Sequence, residues 1–200
     1  MRPSAAALTI LCAVTAALLY SCGNQSEDTS AAVPRQHSYP RPQLYDTVYT
    51  AAAELPASFE VNAGATVEYP NGREAKDGEP LWVDIRYPRY GATVNLTFTP
   101  VSSMEQLSKA LANRRERMAL NLGANAAEQT DIQTATGYQS TILFSTGPSL
   151  TPLQFLSAGG GLVISGALNM PLTSATPVDS VMPILDAVKA DLIHSLQRLK

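Results

Sequence analysis

Cysteine and histidine are scarce in this chain, which contains two of each among its 200 residues. Cys12 lies inside the apolar N-terminal run, which leaves Cys22 without a second cysteine in the rest of the chain. Transition-metal sites are usually built from clusters of cysteine and histidine, and His37 and His194 lie far apart in the sequence. The sequence therefore predicts a domain that folds without a disulfide framework and without a metal or other cofactor.

Basic residues are also few, since 14 Lys and Arg against 17 Asp and Glu give a formal net charge of −3. This balance argues against a nucleic-acid-binding protein, which usually presents a basic surface. Motifs of common enzymes are missing as well. No G-x-S-x-G elbow occurs, and the glycines at 159–161 are not followed by the Lys-Ser/Thr of a phosphate-binding loop. We therefore expect a protein that is not an enzyme, with these glycines in a hairpin turn.

The N-terminal segment has the layout of a cleaved export signal. Arg2 supplies a positive charge, residues 5–20 are almost entirely apolar, and Ser21 precedes Cys22. The apolar run is shorter than the roughly 20 residues that a membrane-spanning helix needs. A cysteine directly after the small residue resembles a bacterial lipoprotein signal, in which cleavage leaves the cysteine as the acylated N-terminus. The alternative is an ordinary signal peptide followed by an incidental cysteine.

These features divide the chain into three parts. Residues 1–21 are predicted to be a lipoprotein signal peptide, residues 22–38 a flexible tether, and residues 39–200 a single folded domain. Acylation of Cys22 would anchor the mature protein to the inner or the outer membrane, facing the periplasm or the cell surface.

The clearest strands form a predicted hairpin. In residues 81–87, apolar side chains alternate with a more polar set, and residues 94–98 alternate in the same way. The Pro-Arg-Tyr-Gly sequence at 88–91 supplies the turn between them. Further strands are predicted in pieces within 48–61, and at 66–69, 134–145, 153–157 and 162–170.

Two amphipathic helices are predicted. Ser102 and Glu105 fit a capping box at the start of the first helix, and Gly123 fits its end. The second helix is predicted to begin at Ser180, with Pro183 tolerated in its first turn. The order of strands, helix, strands and helix predicts an α+β fold in which two main helices cover an antiparallel sheet.

The last helix carries a long apolar stripe, which we expect to close the core. Lys189 is expected on the opposite, solvent-exposed face. His194, beside Ile193 on this helix, is interpreted as a surface or partly packed residue and not as a catalytic base. His37 lies in the tether and has no fixed partner that would orient it as a catalytic base. The apolar stripe consists of Val181, Ile184, Leu185, Val188, Leu192, Leu196 and Leu199.

A run of charge on the first predicted helix is the other candidate site. It contains Arg114, Arg115 and Arg117, with Glu116 among them. Such a run usually marks a solvated helix face. The functional alternative is a docking patch for an acidic partner or for anionic lipid.

Three stretches of residues 39–200 carry a resemblance to a known family. The first is the entry YPRP at 39–42, the second is the hairpin LWVDIRYPRYGATVNLTF at 81–98, and the third is the tail. The tail contains QFL, then ISGALNMP, then DSVMPILDAVKADLIHSL. In this order and spacing, the chain resembles the gliding motility lipoprotein GldD family of Bacteroidetes.

The resemblance implies a non-catalytic accessory lipoprotein of the gliding and type IX secretion apparatus, fixed to a membrane by a lipid such as palmitate. Its partners would be components of that machinery, and not nucleic acid. The order of elements is also similar to the PsbP/Mog1-like sandwich, at the level of fold analogy. The alternative function is a lipoprotein that binds a small molecule or peptide in a pocket of the sheet.

Overall fold

A computed structural model describes residues 42–53, 55–72, 78–147, 149–170 and 178–200. The predicted signal peptide (1–21), the tether (22–38) and Cys22 lie outside the described residues. Within these ranges the elements in chain order are β1 (Tyr49–Ala51), β2 (Glu60–Asn62), β3 (Thr66–Glu68), β4 (Leu81–Tyr87), β5 (Ala92–Pro100), α1 (Met104–Leu122), β6 (Ala127–Gln133), β7 (Gln139–Ser145), β8 (Leu153–Gly159), β9 (Leu162–Asn169) and α2 (Val178–Gln197).

Seven of these strands form one antiparallel sheet in the order β3-β4-β5-β9-β8-β7-β6. Strands β1 and β2 pair separately as a two-stranded antiparallel unit. Helix α1 leads from β5, inside the sheet, to β6 at its far edge, and therefore crosses one face. The predicted α+β class, with a large antiparallel sheet and two helices, is confirmed.

The two helices lie against opposite faces of the sheet. Neighbouring residues of a strand point to opposite faces. On β9, Ile164 belongs to the main core beside α2, whereas Val163 belongs to a smaller cluster with Met118 of α1. We call these faces the α2 face and the α1 face. Four residues of the predicted stripe on α2, and one just after the helix, are buried in the main core, which confirms that α2 closes it: Leu185, Val188, Leu192 and Leu196, followed by Leu199.

The predicted hairpin at 81–98 is confirmed as β4 and β5. Its register places Val83 opposite Leu96, and both side chains point into the main core. The intervening residues Trp82 and Arg86 are exposed, as the alternation predicts. Alternate residues of the two strands therefore contribute to the main core on the α2 face.

Gly166 of β9 lies at a close approach of side chains within this core. A Cβ atom at this position would lie 2.4 Å from the ring of Phe155 and 2.7 Å from a methyl carbon of Leu96. Phe155 and Leu96 are buried in the two strands that flank β9. The glycine therefore leaves the space that these two side chains fill. Further along, Gly160 and Gly161 have φ of 57° and 75°, and form the predicted turn between β8 and β9.

The predicted strand at 134–145 was wrong in its first half. Residues 134–138 form a turn, closed by a hydrogen bond from Thr134 N to Tyr138 O, and only β7 follows. Strand β6 precedes this turn and was not predicted. Its sequence AEQTDIQ is mainly polar, and its residues are exposed or half-buried because it forms the edge of the sheet. An edge strand of this kind lacks the apolar alternation on which the prediction depends.

The N-terminal ends of the helices differ from the prediction by one or two residues, whereas Gly123 is the C-cap of α1 as predicted. The N-cap of α1 is Ser103, not Ser102, and its side chain accepts a hydrogen bond from Gln106 N at 3.1 Å. Gln106 Oε1 in turn accepts from Ser102 N at 2.9 Å, so the reciprocal capping pattern is present but shifted along the chain. Helix α2 begins at Val178 rather than at Ser180, and Pro183 therefore lies inside the helix.

The prediction that Lys189 lies on a solvent-exposed face was also wrong. Its side chain is only 20% exposed, and Nζ lies 3.2 Å from Glu128 Oε2 of β6. The ammonium group also lies 4.7 Å from the ring centroid of Phe144 on β7. The correction follows from β6, because this unpredicted edge strand lies against that flank of α2.

Candidate functional site

Helix α1 divides the predicted arginine run between its two sides. Arg114 follows Leu111 by three residues and precedes Met118 by four, so it shares the helix face that packs on the sheet. Arg114 is half-buried, whereas Arg115 and Arg117 are exposed. Arg115 lines one groove beside the helix, and Arg114 and Arg117 line another. The three arginines therefore do not form one continuous patch, and docking by them stays a prediction.

The groove on the Arg115 side, which we call the wide groove, has a volume of about 720 Å³. It lies between α1 and strands β6 and β7 on the α1 face. Polar side chains of β6 and β7, including Gln129, Asp131 and Thr141, form its outer wall. The side facing the sheet and the helix is mainly apolar, with Leu111, Met118, Leu122, Leu143, Leu156 and Ala158.

Hydrogen bonds from neighbouring side chains hold the carboxylate of Asp131 in this wall. Gln129 Nε2 donates to its two carboxylate oxygens at 3.2 and 2.9 Å, and Thr141 Oγ1 donates to Oδ1 at 2.7 Å. These hydrogen bonds, first from Gln129 and then from Thr141, lower the pKa of Asp131 below its usual value. The wide groove thus has an ionised carboxylate on one wall and the Arg115 cation on the other.

The groove on the other side of α1, which we call the arginine groove, has a volume of about 190 Å³. Arg114 and Arg117 lie along the helix, and Asn95, Thr97 and Ser165 lie on the sheet across from them. Burial, and then the positive charge of Arg117, lower the pKa of the Arg114 guanidinium. Within the described part of the chain, neither guanidinium has a carboxylate within 4.0 Å.

A second polar cluster joins α2 to the β1–β2 unit, away from both grooves. Asp191 is 6% exposed, and its Oδ1 accepts hydrogen bonds from Tyr49 OH at 2.8 Å and from Asn62 Nδ2 at 3.3 Å. Asn62 Nδ2 also donates to Asp46 O at 3.0 Å. Burial, and then the negative charge of Asp191, raise the pKa of Tyr87 well above its usual value. The cluster fixes a buried carboxylate among neutral donors.

His194 belongs to the same region and is partly packed, as its sequence context indicates. Its ring stacks on Tyr49 with centroids 3.7 Å apart, and its Nε2 lies 2.7 Å from Glu60 Oε2. The next residue, Ser195, donates to Glu60 O at 2.5 Å and to Asp191 O at 2.8 Å. These contacts hold β2 against α2, which is a structural role.

The sequence around Asp191 contains a signal for its buried position. Asp191 follows Val188 by three residues and directly precedes Leu192, so it interrupts the buried stripe of α2 with a charge. A charge in such a position needs partners. By contrast, Thr97 of the arginine groove has no sequence signal, since alternate polar residues on a strand such as β5 indicate only a solvent-facing side. Ser165 is an isolated polar residue within the mainly apolar strand β9, and nothing local connects it with the arginines.

We expect the stability of the fold to decrease between about pH 10 and pH 12. Burial, and then the hydrogen bond to Asp191 and its charge, raise the pKa of Tyr49 to about 12, whereas a tyrosine in an unfolded chain titrates near 10. In this range the unfolded state has lost a proton that the folded state retains, so deprotonation favours unfolding. Urea unfolding of the Tyr49→Phe variant should depend less steeply on pH there. An equally steep dependence in both proteins would contradict the role given to Tyr49.

The comparison with known protein families is decisive for this chain. The family model described as gliding motility lipoprotein GldD matches residues 29–200. The chain belongs to the gliding motility lipoprotein GldD family. The match includes both grooves of α1 and the Asp191 cluster, and it confirms the resemblance carried by the hairpin and the tail. No curated protein and no solved structure matches this GldD family member significantly.

Membership of a lipoprotein family implies a membrane-anchored protein of the cell envelope, associated with the motility machinery. In the described residues of this GldD family member, no helix is long and apolar enough to span a membrane. No group of three or more His, Cys, Asp and Glu side chains in the same residues is arranged to hold a metal ion.

Proposed function

We propose that this protein is a non-catalytic accessory component of the gliding motility and type IX secretion apparatus of a Bacteroidetes bacterium. The observation that carries the proposal is the family match over residues 29–200. The family description names gliding motility, and the secretion role is our extension of it. The partners of the protein are then other components of this machinery.

The structure supports helix α1 as the docking element. Its outward side is exposed, and the grooves on its two flanks differ in charge, with Asp131 and Arg115 on one and two arginines on the other. The α2 face, by contrast, is filled by the main core and by the Asp191 cluster. A rigid core on one face would hold α1 in a fixed position for a partner on the other.

We further propose that Cys22 carries the lipid anchor. The small residue Ser21 directly before it and the apolar run before that favour lipoprotein processing. Each buried CH₂ group of an acyl chain contributes about 0.8 kcal/mol, and two or more chains, palmitate among them, give stable anchoring. The anchor would hold the domain at the inner or the outer membrane. The PsbP/Mog1-like relationship of the fold also stays a proposal, supported by the order of strands and helices.

A second candidate function is binding of a small molecule or a peptide in the wide groove. Its volume of about 720 Å³ lies in the range of about 300–1,000 Å³ that is typical of ligand pockets. Its apolar side and its few charged groups also fit this function. A small-molecule or peptide mass retained by the protein purified from its host would favour this function over the first.

The proposal is tested by deletion of the gene and complementation in the host. We expect the deletion strain to lose export of type IX cargo and gliding, if the host glides, and the wild-type gene to restore both. The Cys22→Ser variant should appear in the soluble fraction without fatty-acid labelling and should fail to restore export. The matched control is Cys12→Ser, which removes the other thiol and should behave as wild type.

The outcomes separate the two parts of the proposal. Normal cargo export by the deletion strain would contradict the role in secretion. Fatty-acid labelling and membrane fractionation that persist in Cys22→Ser would contradict the anchor alone.

A further inference from the structure

The arginine groove contains two cations, Arg114 and Arg117, that no carboxylate of the described residues approaches within 4.0 Å. Elsewhere in the described residues, Arg86 Nε lies 3.0 Å from Glu68 Oε2. Arg89 donates to Leu44 O, and its guanidinium lies 4.4 Å from the ring centroid of Tyr45. Arg114 and Arg117 have neither kind of contact in this part of the protein. The exposed Arg115 and Arg198 also have none, so the distinguishing feature is that Arg114 is half-buried. Arg114 is half-buried beside the second cation, which is unfavourable because neither solvent nor an anion fully compensates its charge.

The sheet wall of the groove adds uncharged donors. Ser165 is 9% exposed, and Thr97 lies opposite it across the β5–β9 pair. Neither hydroxyl forms a hydrogen bond with any described residue. Asn95 lies two residues before Thr97, and its Nδ2 donates to Asp84 Oδ1 at 2.8 Å, which fixes the orientation of its amide. Both hydroxyl-bearing residues line the same groove as the two arginines, and no other described residue engages either hydroxyl.

The base of the groove is held rigid by a buried amide. Gln154 is 2% exposed, accepts from Asn121 Nδ2 at 3.1 Å and donates to Met118 O at 3.4 Å. These hydrogen bonds tie α1 to β8 directly beside the arginines. The distance between α1 and the sheet is therefore fixed by these contacts within the protein and does not depend on a bound ligand.

From this arrangement we infer that the arginine groove is a binding site for a phosphate group. A phosphate dianion balances the two guanidinium charges, and its oxygens accept from guanidinium and from hydroxyl groups together. The volume of about 190 Å³ is large enough to hold one such group. The phosphate can be free, as inorganic phosphate, or can belong to a lipid headgroup, and the chemistry at the groove is the same. This inference is independent of the role in secretion.

The test measures phosphate binding by the detergent-solubilised full-length protein and by three variants. The probes are inorganic phosphate and water-soluble dihexanoyl phosphatidic acid, each compared with chloride at equal ionic strength, by calorimetry and thermal unfolding. We expect phosphate to bind and to raise the unfolding temperature. The double variant Arg114→Gln with Arg117→Gln should bind at least about tenfold more weakly, since hydrogen bonds between charged groups are the strong ones.

Arg115→Gln is the matched control, because it removes one positive charge from the same helix but on the wide groove. Its affinity for phosphate should stay within about twofold of the wild type. The double variant should also be at least as stable as the wild type in phosphate-free buffer, because a repulsion between like charges is removed. The third variant, Arg114→Lys with Arg117→Lys, keeps the charge and should bind more weakly than the wild type, since lysine lacks the planar donor fork.

The outcomes either support or overturn the inference. Tighter binding of phosphatidic acid than of inorganic phosphate would assign the site to a lipid headgroup, and the reverse order would assign it to free phosphate. Absence of binding for both probes, or equal loss of affinity in Arg115→Gln and in the double variant, would overturn it.

Discussion

Leu192→Ala should lower the free energy of unfolding by about 2–5 kcal/mol, because a buried leucine replaced by alanine loses its transfer free energy and leaves a cavity. Leu192 is 2% exposed and lies in the main core with Val188 and Leu196. A loss of this size is a large share of the stability of a typical domain. The measurement is the urea midpoint and slope of the variant against the wild type.

Asp186→Ala is the appropriate control for this substitution. Asp186 lies on the same helix but is exposed, and surface substitutions usually change stability by less than about 0.5 kcal/mol. Lys189 is unsuitable as a control, because its contacts with Glu128 and Phe144 are lost on truncation. Equal destabilisation by Leu192→Ala and Asp186→Ala would show that the buried face of α2 is assigned wrongly.

We expect Asp191→Ala to lower the free energy of unfolding by about 2–4 kcal/mol. The substitution leaves the hydroxyl of Tyr49 and the amide of Asn62 without their shared acceptor, and each buried unsatisfied polar group costs about 1–3 kcal/mol. Because these residues belong to β1 and β2, amide hydrogen exchange should accelerate first in that pair of strands.

Asp191→Asn separates the loss of the acceptor from the loss of the charge. The asparagine retains an oxygen for Tyr49, so this variant should keep more of the stability than Asp191→Ala does. If the urea midpoint of Asp191→Ala equals that of the wild type, the cluster does not stabilise the fold. If the two variants are equally unstable, the negative charge, and not the acceptor, is what the cluster requires.

These two substitutions also bear on the proposed function. Both act on the α2 face, on the opposite side of the sheet from the two grooves of α1. A variant that is destabilised but still folded at the growth temperature should therefore retain export, whereas changes in the grooves should affect export without affecting stability. Abundance in the envelope has to be measured alongside export, since destabilised proteins are removed in cells.

The parts of the fold that the sequence predicted well are those where one side of an element is buried. The alternation at 81–87 identified the inner residues of β4, and the stripe on α2 identified Leu192 as a core residue. Where both sides of an element are exposed or polar, the pattern is missing, and β6 was overlooked for this reason. Without β6, the wide groove and the contacts of Lys189 could not be predicted either.

The sequence by itself determined the family, the α+β class and the burial of α2, because these depend on local order and on residue periodicity. Only the tertiary structure decided that Arg115 faces one groove while Arg114 and Arg117 face another. Helical spacing fixes the angles between these side chains, but the position of the sheet decides which of them are enclosed. The same holds for Asp191, whose partners Tyr49 and Asn62 are distant in sequence. Contacts between distant residues depend on how the elements pack, and local sequence patterns do not encode that packing.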